Sequence, residues 1–318
     1  MVSIFRSLMV LVAGVAAVAF FSSCGGGSGA SDETSGKLQV VATTTMVGDM
    51  VRVVGGDAVD LTVLMGPGVD PHLYKARPSD AAAITSADLI FYNGLMLEGQ
   101  LADLFNKASQ RGKAVVAVAE VVDQKELMAD PEAENHPDPH VWGDVALWRQ
   151  SLALVIDELV RALPEQADAI RERGAAYDNE LEQLDAWAAA RMAEVPEEHR
   201  LLVTSHDAFA YFGRAYGFEV VGIQGISTAT QAGMADVANT VDLVKSRGIK
   251  AIFTENSVAP GLIESVKRDA GVIVGGELFS DSTGAAGVVE TAHGESYDVS
   301  TYIGMIKHNV NTIVDNLK

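Results

Sequence analysis

The chain has 318 residues, long for one typical domain and ample for two. Its 43 acidic residues against 23 basic ones give a formal charge of −20, which argues against a nucleic-acid partner and against docking on anionic lipid through a basic patch. Hydrophobic residues make up 48% of the chain, which excludes wholesale disorder, and the single cysteine, Cys24, excludes an internal disulfide, a multi-thiolate zinc cluster and a two-thiol redox motif.

In chain order, Arg6 is followed by an apolar run from Leu8 to Phe21. At about 14 residues the run is shorter than the ~20 that span a bilayer, and it fits a secretory h-region. Ser22 and Ser23 precede Cys24, and Gly25-Gly26-Gly27-Ser28-Gly29 follow it. This boundary resembles a bacterial lipobox, with Phe21 where an aliphatic residue is usual. The resemblance implies cleavage after residue 23 and lipid modification of Cys24, so that residues 24–37 form a flexible tether of about 20 Å to the membrane.

From Leu38 onward, short β-rich runs alternate with helical patterns, the signature of α/β layers on a mainly parallel sheet. Strands are predicted at Leu38–Ala42, Asp60–Met65, Leu89–Tyr92 and Ala114–Ala119, with helices around Gly48–Val54 and Leu97–Ser109. A helix then runs from Asp144 to Leu163, and a second of about 30 residues, roughly 45 Å, runs from Pro164 to Glu194. The alternation resumes with strands at Leu201–Thr204, Glu219–Ile223, Ala251–Thr254 and Val272–Val274. Helices are expected at His206–Tyr216, Met234–Arg247, Pro260–Asp269 and Ser300–Leu317. The predicted fold class is α/β: two α/β lobes, at 38–163 and 195–318, bridged by one long helix at 164–194.

Of the seven histidines, three stand where ligands gather in open α/β sheets. His72 ends a glycine-proline loop after a strand, His140 lies in the proline-stiffened Pro137-Asp138-Pro139-His140, and His206 closely follows Leu201–Thr204. Their spacing matches no short-range zinc pattern, so each taken alone reads first as an ordinary loop or core histidine and only second as a ligand. His199, His293 and His308 read as solvated or packing residues. His136 sits among Asp130, Glu132, Glu134 and Asp138, a stretch that reads either as a solvated loop or as a weak cation trap near an entrance.

Five runs, taken together, closely resemble the zinc/manganese solute-binding proteins of ABC importers, cluster A-I. They are Val41-Ala42-Thr43-Thr44-Thr45-Met46, Asp70-Pro71-His72-Leu73-Tyr74, Asp138-Pro139-His140-Val141-Trp142, Ser205-His206-Asp207-Ala208-Phe209-Ala210-Tyr211-Phe212 and Gly276-Glu277-Leu278-Phe279-Ser280-Asp281. The resemblance implies that the bridging helix is rigid and that a metal ion is held between the lobes by His72, His140, His206 and Asp281. Three imidazoles and one carboxylate suit Zn²⁺ best, with Mn²⁺ second and Fe²⁺ behind both. Members that favour manganese often carry Glu where His206 stands, whereas the long histidine-rich loop of some zinc-specific members is absent here. No organic cofactor is implied. The implied partners are an ABC permease with its ATPase subunit and, through the anchor, the membrane; the chain is expected to act as a monomer outside the cytoplasm. A zinc hydrolase using Glu255 or Glu277, or a surface adhesin, is the alternative. Histidine ligation predicts affinity that falls below about pH 6.5.

Overall fold

The computed structural model describes residues 36–131 and 136–318. The signal run, Cys24, Glu132 and Glu134 lie outside the described residues.

The first half is a four-stranded parallel sheet in the order β2-β1-β3-β4, built from β1 (Leu38–Ala42), β2 (Val59–Val63), β3 (Leu89–Tyr92) and β4 (Ala114–Ala117). Parallel strands need crossovers, and these are α1 (Thr45–Gly55), α2 (Pro78–Ser86) and α3 (Ala102–Gln110). Thr44 caps α1 by accepting the Val47 N–H, and Met46, Val47, Met50, Val51 and Val54 form its buried stripe. Asp80 fixes the start of α2 by accepting both the Arg77 N–H and the Tyr74 hydroxyl at 2.7 Å. Helix α2 has no strong apolar stripe and was not picked out in the sequence.

Two helices follow, α4 (Val145–Ala162) and α5 (Ala167–Met192). Asp144 caps α4 through the Ala146 and Leu147 N–H groups. The helix predicted from Pro164 opens instead with a 3₁₀ turn, Pro164–Gln166, and α5 then runs 26 residues, about 39 Å. Its buried residues, Ile170, Gly174, Tyr177, Leu181, Leu184, Ala188 and Met192, recur every three or four positions along one face. That face packs on α1 and α4 from the first half, and on α6 (Ala210–Tyr216) and α9 (Tyr302–Leu317) from the second.

The second half pairs β5 (Leu201–His206) with β6 (Glu219–Gln224), and β7 (Ala251–Glu255) with β8 (Ile273–Leu278), both parallel. Helices α7 (Met234–Arg247) and α8 (Gly261–Ala270) close over a core of Leu201, Val203, Ile223, Val244, Ile252 and Ile263. An antiparallel hairpin, β9 (Val289–Ala292) and β10 (Glu295–Asp298), was not foreseen, because its short strands are half exposed and lack an apolar run. The largest apolar cluster is continuous across both halves and includes Trp142, Trp148, Tyr177, Tyr211, Phe212 and Tyr302.

Candidate metal centre

Each of the four residues singled out in the sequence leaves the carboxyl end of a strand or the loop beyond it. His72 follows β2, and Asp70 Oδ1 accepts its backbone N–H at 2.8 Å. His140 lies between β4 and α4, where Asp138 Oδ1 takes both its backbone N–H at 2.9 Å and its ring Nδ1 at 2.7 Å. Tyr211 steadies that loop by donating to the Asp138 carbonyl at 3.0 Å.

His206 does not open a helix as the sequence suggested. It is the last residue of β5, paired with Gln224, and helix α6 begins only at Ala210. The reason is a side chain: Glu255, at the end of β7, accepts the His206 backbone N–H at 2.8 Å and meets ring Nδ1 at 2.5 Å. Asp281, three residues beyond β8, accepts from Ser257 Oγ at 3.3 Å.

These elements bring one donor atom from each of His72, His140, His206 and Asp281 within 4.8 Å of one another. His72 Nε2 lies 3.3 Å from His140 Nε2; His140 Nε2 is 3.4 Å from Asp281 Oδ1, and His206 Nε2 is 3.3 Å from Asp281 Oδ2. His140, His206 and Asp281 are buried, and His72 is 8% exposed. Among the described residues, His206 Nε2 and Asp281 Oδ1 are buried without a hydrogen-bond partner. Buried polar atoms left unpaired are costly, and here they converge on one point, as donors do around a cation.

The electrostatics divide the four residues. Burial depresses the His72 ring to about 3, the nearby Asp281 charge only partly offsetting it, so this imidazole is neutral. Burial would depress His140 too, but the charge and hydrogen bond of Asp138, with Asp281 adding, raise it to about 9. Glu255 and Asp281 likewise overcome burial at His206 and hold it well above its ordinary value. Burial opposes ionisation of Asp281, but the His206 and His140 rings outweigh it and keep the carboxyl well below the usual range. Rings held above their ordinary value keep their protons to higher pH, which moves the expected fall in affinity upward from about 6.5.

The other histidines stay away from this cluster. His136 is exposed. His199 Nδ1 meets the Leu317 carbonyl at 3.0 Å, His293 pairs with Asp315 at the surface, and His308 stacks on Phe279 with its nitrogens on Glu290 and the Glu277 carbonyl. Glu277 has an exposed side chain. Glu255 has both oxygens on His206, so neither hydrolase candidate is free to serve as an acid or base at the cluster. The sequence reading leaves Asp138 without a role at the site and offers Glu255 only as a hydrolase candidate, whereas both stand behind imidazoles of the cluster. Asp138 had a signal, the Asp-x-His spacing, although Asp70 shares that spacing and meets its histidine only at the backbone N–H. The pairing of Glu255 with His206 had none, the two being 49 residues apart.

A buried nest of three imidazoles and a carboxylate at the strand ends of a two-part α/β chain defines a binding protein for a divalent transition metal. The family model described as zinc-uptake complex component A, periplasmic (ZnuA), matches residues 40–316, and the chain belongs to that family. It is thus the extracytoplasmic metal-binding component of an ABC uptake system, a transport protein and not an enzyme. It is 41% identical to the manganese-binding lipoprotein MntA of Bacillus subtilis, over 92% of this chain and 95% of that one. It is 42% identical to the zinc-binding protein TroA of Treponema pallidum, over 88% of each. The solved structure of the periplasmic zinc-binding protein TroA superposes with a TM-score of 0.83 at 41% identity, covering 89% of this chain and 99% of that one.

Proposed function

We propose that the chain captures one divalent transition-metal ion at His72, His140, His206 and Asp281 and delivers it to an ABC permease driven by its ATPase subunit. The carrying observation is the convergence of four buried donor atoms within 4.8 Å, two of the imidazoles backed by carboxylates. Metal-binding histidines are commonly oriented through the other ring nitrogen in this way.

Zinc is the favoured cargo. Nitrogen-rich, borderline-soft coordination with one carboxylate suits Zn²⁺ more than Mn²⁺, and the usual affinity order points the same way. Relatives named for manganese and for zinc are almost equally similar, at 41% and 42% identity, so overall likeness does not decide the metal; the nitrogen-rich donor set is what supports zinc. The proposed organisation is a signal peptide at 1–23, a tether at 24–37 lipidated on Cys24, lobes at 38–163 and 195–318, and a bridging helix at 164–194.

Elemental analysis of protein purified without chelator, followed by competition between Zn²⁺ and Mn²⁺, tests this reading. One equivalent of zinc that manganese does not displace is expected. Stoichiometric binding that survives replacement of His140 and His206 by alanine would overturn the ligand set.

A further inference from the structure

The four donors are unequally held. The His140 and His206 rings have carboxylates on Nδ1, and Asp281 accepts from Ser257, but among the described residues nothing hydrogen-bonds His72 Nδ1. His72 is also the donor nearest solvent, 8% exposed against 1% or less for the others. The side of the cluster nearest water is thus the one formed by the segment carrying His72.

That segment, 66–74, is tied to the second half at two points. Gly68 donates its N–H to Ser282 Oγ at 2.8 Å, next to Asp281. Asp70 is shared across the gap: Oδ1 accepts the His72 N–H at 2.8 Å, and Oδ2 accepts the Thr228 hydroxyl at 2.6 Å. Thr228 is itself presented by a built support. Gln224, at the end of β6, donates its amide to the Thr228 carbonyl at 2.7 Å and to the Thr230 carbonyl at 2.5 Å. A continuous path therefore runs from β6 through Gln224, Thr228 and Asp70 to the backbone of His72. The hydroxyl-to-carboxylate bond is charge-assisted, the stronger kind.

We infer that Thr228 is a positioning residue that sets how long the metal stays bound: its bond to Asp70 latches the His72 segment across the cleft, and breaking it opens the way out. This rests on the metal-binding reading above. Thr228 touches no donor, so its loss leaves the four ligands intact and acts on release.

The test is stopped-flow release of Zn²⁺ from the loaded mature protein into excess chelator, for wild type, Thr228→Val, Thr228→Ser and Thr240→Val. Valine keeps the shape of threonine and removes the hydroxyl. Thr228→Val is expected to bind one zinc and release it about tenfold faster or more, the scale of a lost hydrogen bond to a charged acceptor. Thr228→Ser should restore slow release. Thr240→Val, which loses only a bond to the Asp236 carbonyl within α7, should release at the wild-type rate. Thr228→Val releasing at the wild-type rate, or Thr228→Ser releasing as fast as valine, overturns the latch while leaving the metal site standing. Wild type that takes up neither zinc nor manganese overturns both.

Discussion

Glu255 holds His206 twice, with Oε2 2.5 Å from ring Nδ1 and Oε1 accepting the backbone N–H at 2.8 Å. One carboxylate thus fixes both the end of β5 and the rotation of the imidazole, leaving Nε2 aimed at the other donors. A glutamine at 255 has one acceptor oxygen for these two donors and no charge to support the ring. Glu255→Gln is expected to bind zinc 10- to 100-fold more weakly, about the usual cost of losing a partner behind a metal-bound histidine. Titration against a chromophoric chelator would measure it, with one-to-one stoichiometry retained. Wild-type affinity in this variant would mean the carboxylate does not orient the ligand.

The pH response separates this site from one built of ordinary histidines. With His140 at about 9 and His206 well above its usual value, both rings carry protons on both nitrogens at neutral pH in the metal-free protein. An incoming ion must displace the Nε2 protons, so affinity falls as pH falls, roughly tenfold per unit for each proton released. Between pH 6.5 and 9 the logarithm of affinity should rise with a slope of one to two, where unperturbed imidazoles would give a plateau. The metal-free fold should respond in the opposite sense. A histidine raised above its unfolded value stabilises fully below about 6.5, and His140 loses that contribution as pH rises through about 9. The apoprotein should therefore melt lower at pH 9.5 than at 6.5. A flat affinity profile above pH 6.5 would contradict the raised values.

Much of the architecture was legible because it is written in local periodicity. The strand at Leu38–Ala42 and the helix at Met234–Arg247 fall where hydrophobic pattern and glycine stops put them. The elements that escaped, α2 and the β9–β10 hairpin, have weak apolar faces and are held by tertiary contacts such as Tyr74 to Asp80. The same division runs through the site. His72, His140, His206 and Asp281 came from motif resemblance, since each alone is an unremarkable loop residue. The end of β5 was misplaced because the group that holds the His206 N–H is Glu255, on a strand 49 residues away. Electrostatic consequences were least visible, because free-histidine values say nothing of which ring has a carboxylate behind it.

Because His72 and His140 come from the first half and His206 and Asp281 from the second, an ion between them ties elements that the apoprotein holds by packing and hydrogen bonds. Binding to the folded state alone adds about 2.7 kcal/mol at a hundredfold excess over Kd. For a chain of this size that amounts to a rise in melting temperature of several degrees or more, about 2–4 °C per kcal/mol in domains of 150–250 residues. Adding zinc to stripped protein should produce that rise, and Asp281→Ala, which removes the carboxylate lying between two imidazoles, should lose most of it. Calorimetry of both proteins, with and without zinc, checks the point; an equal rise in the variant would place the stabilising ion elsewhere.

Gly222 gives a prediction in which fold and site fail together. It pairs with Thr204 in the β5–β6 register, and a Cβ there would lie 2.4 Å from the Asp207 nitrogen, 2.6 Å from the His206 carbonyl carbon and 2.7 Å from the Gln224 oxygen. All three neighbours are backbone, so no rotamer change relieves the clash, and either β6 or the end of β5 must move. Overpacking of this kind costs about 1–3 kcal/mol, and one of the crowded atoms belongs to His206, a proposed donor, with its chain neighbour Asp207 beside it. Gly222→Ala is expected both to lower the melting temperature by several degrees and to weaken zinc binding. Gly174 on α5 supplies the contrast: a Cβ there would meet the Ile156 side chain of α4, its end 2.3 Å away, and no donor lies on either helix. Gly174→Ala should lower the melting temperature while leaving zinc affinity near wild type. Equal zinc affinity in the two variants would mean that the position of His206 tolerates a shift of β6.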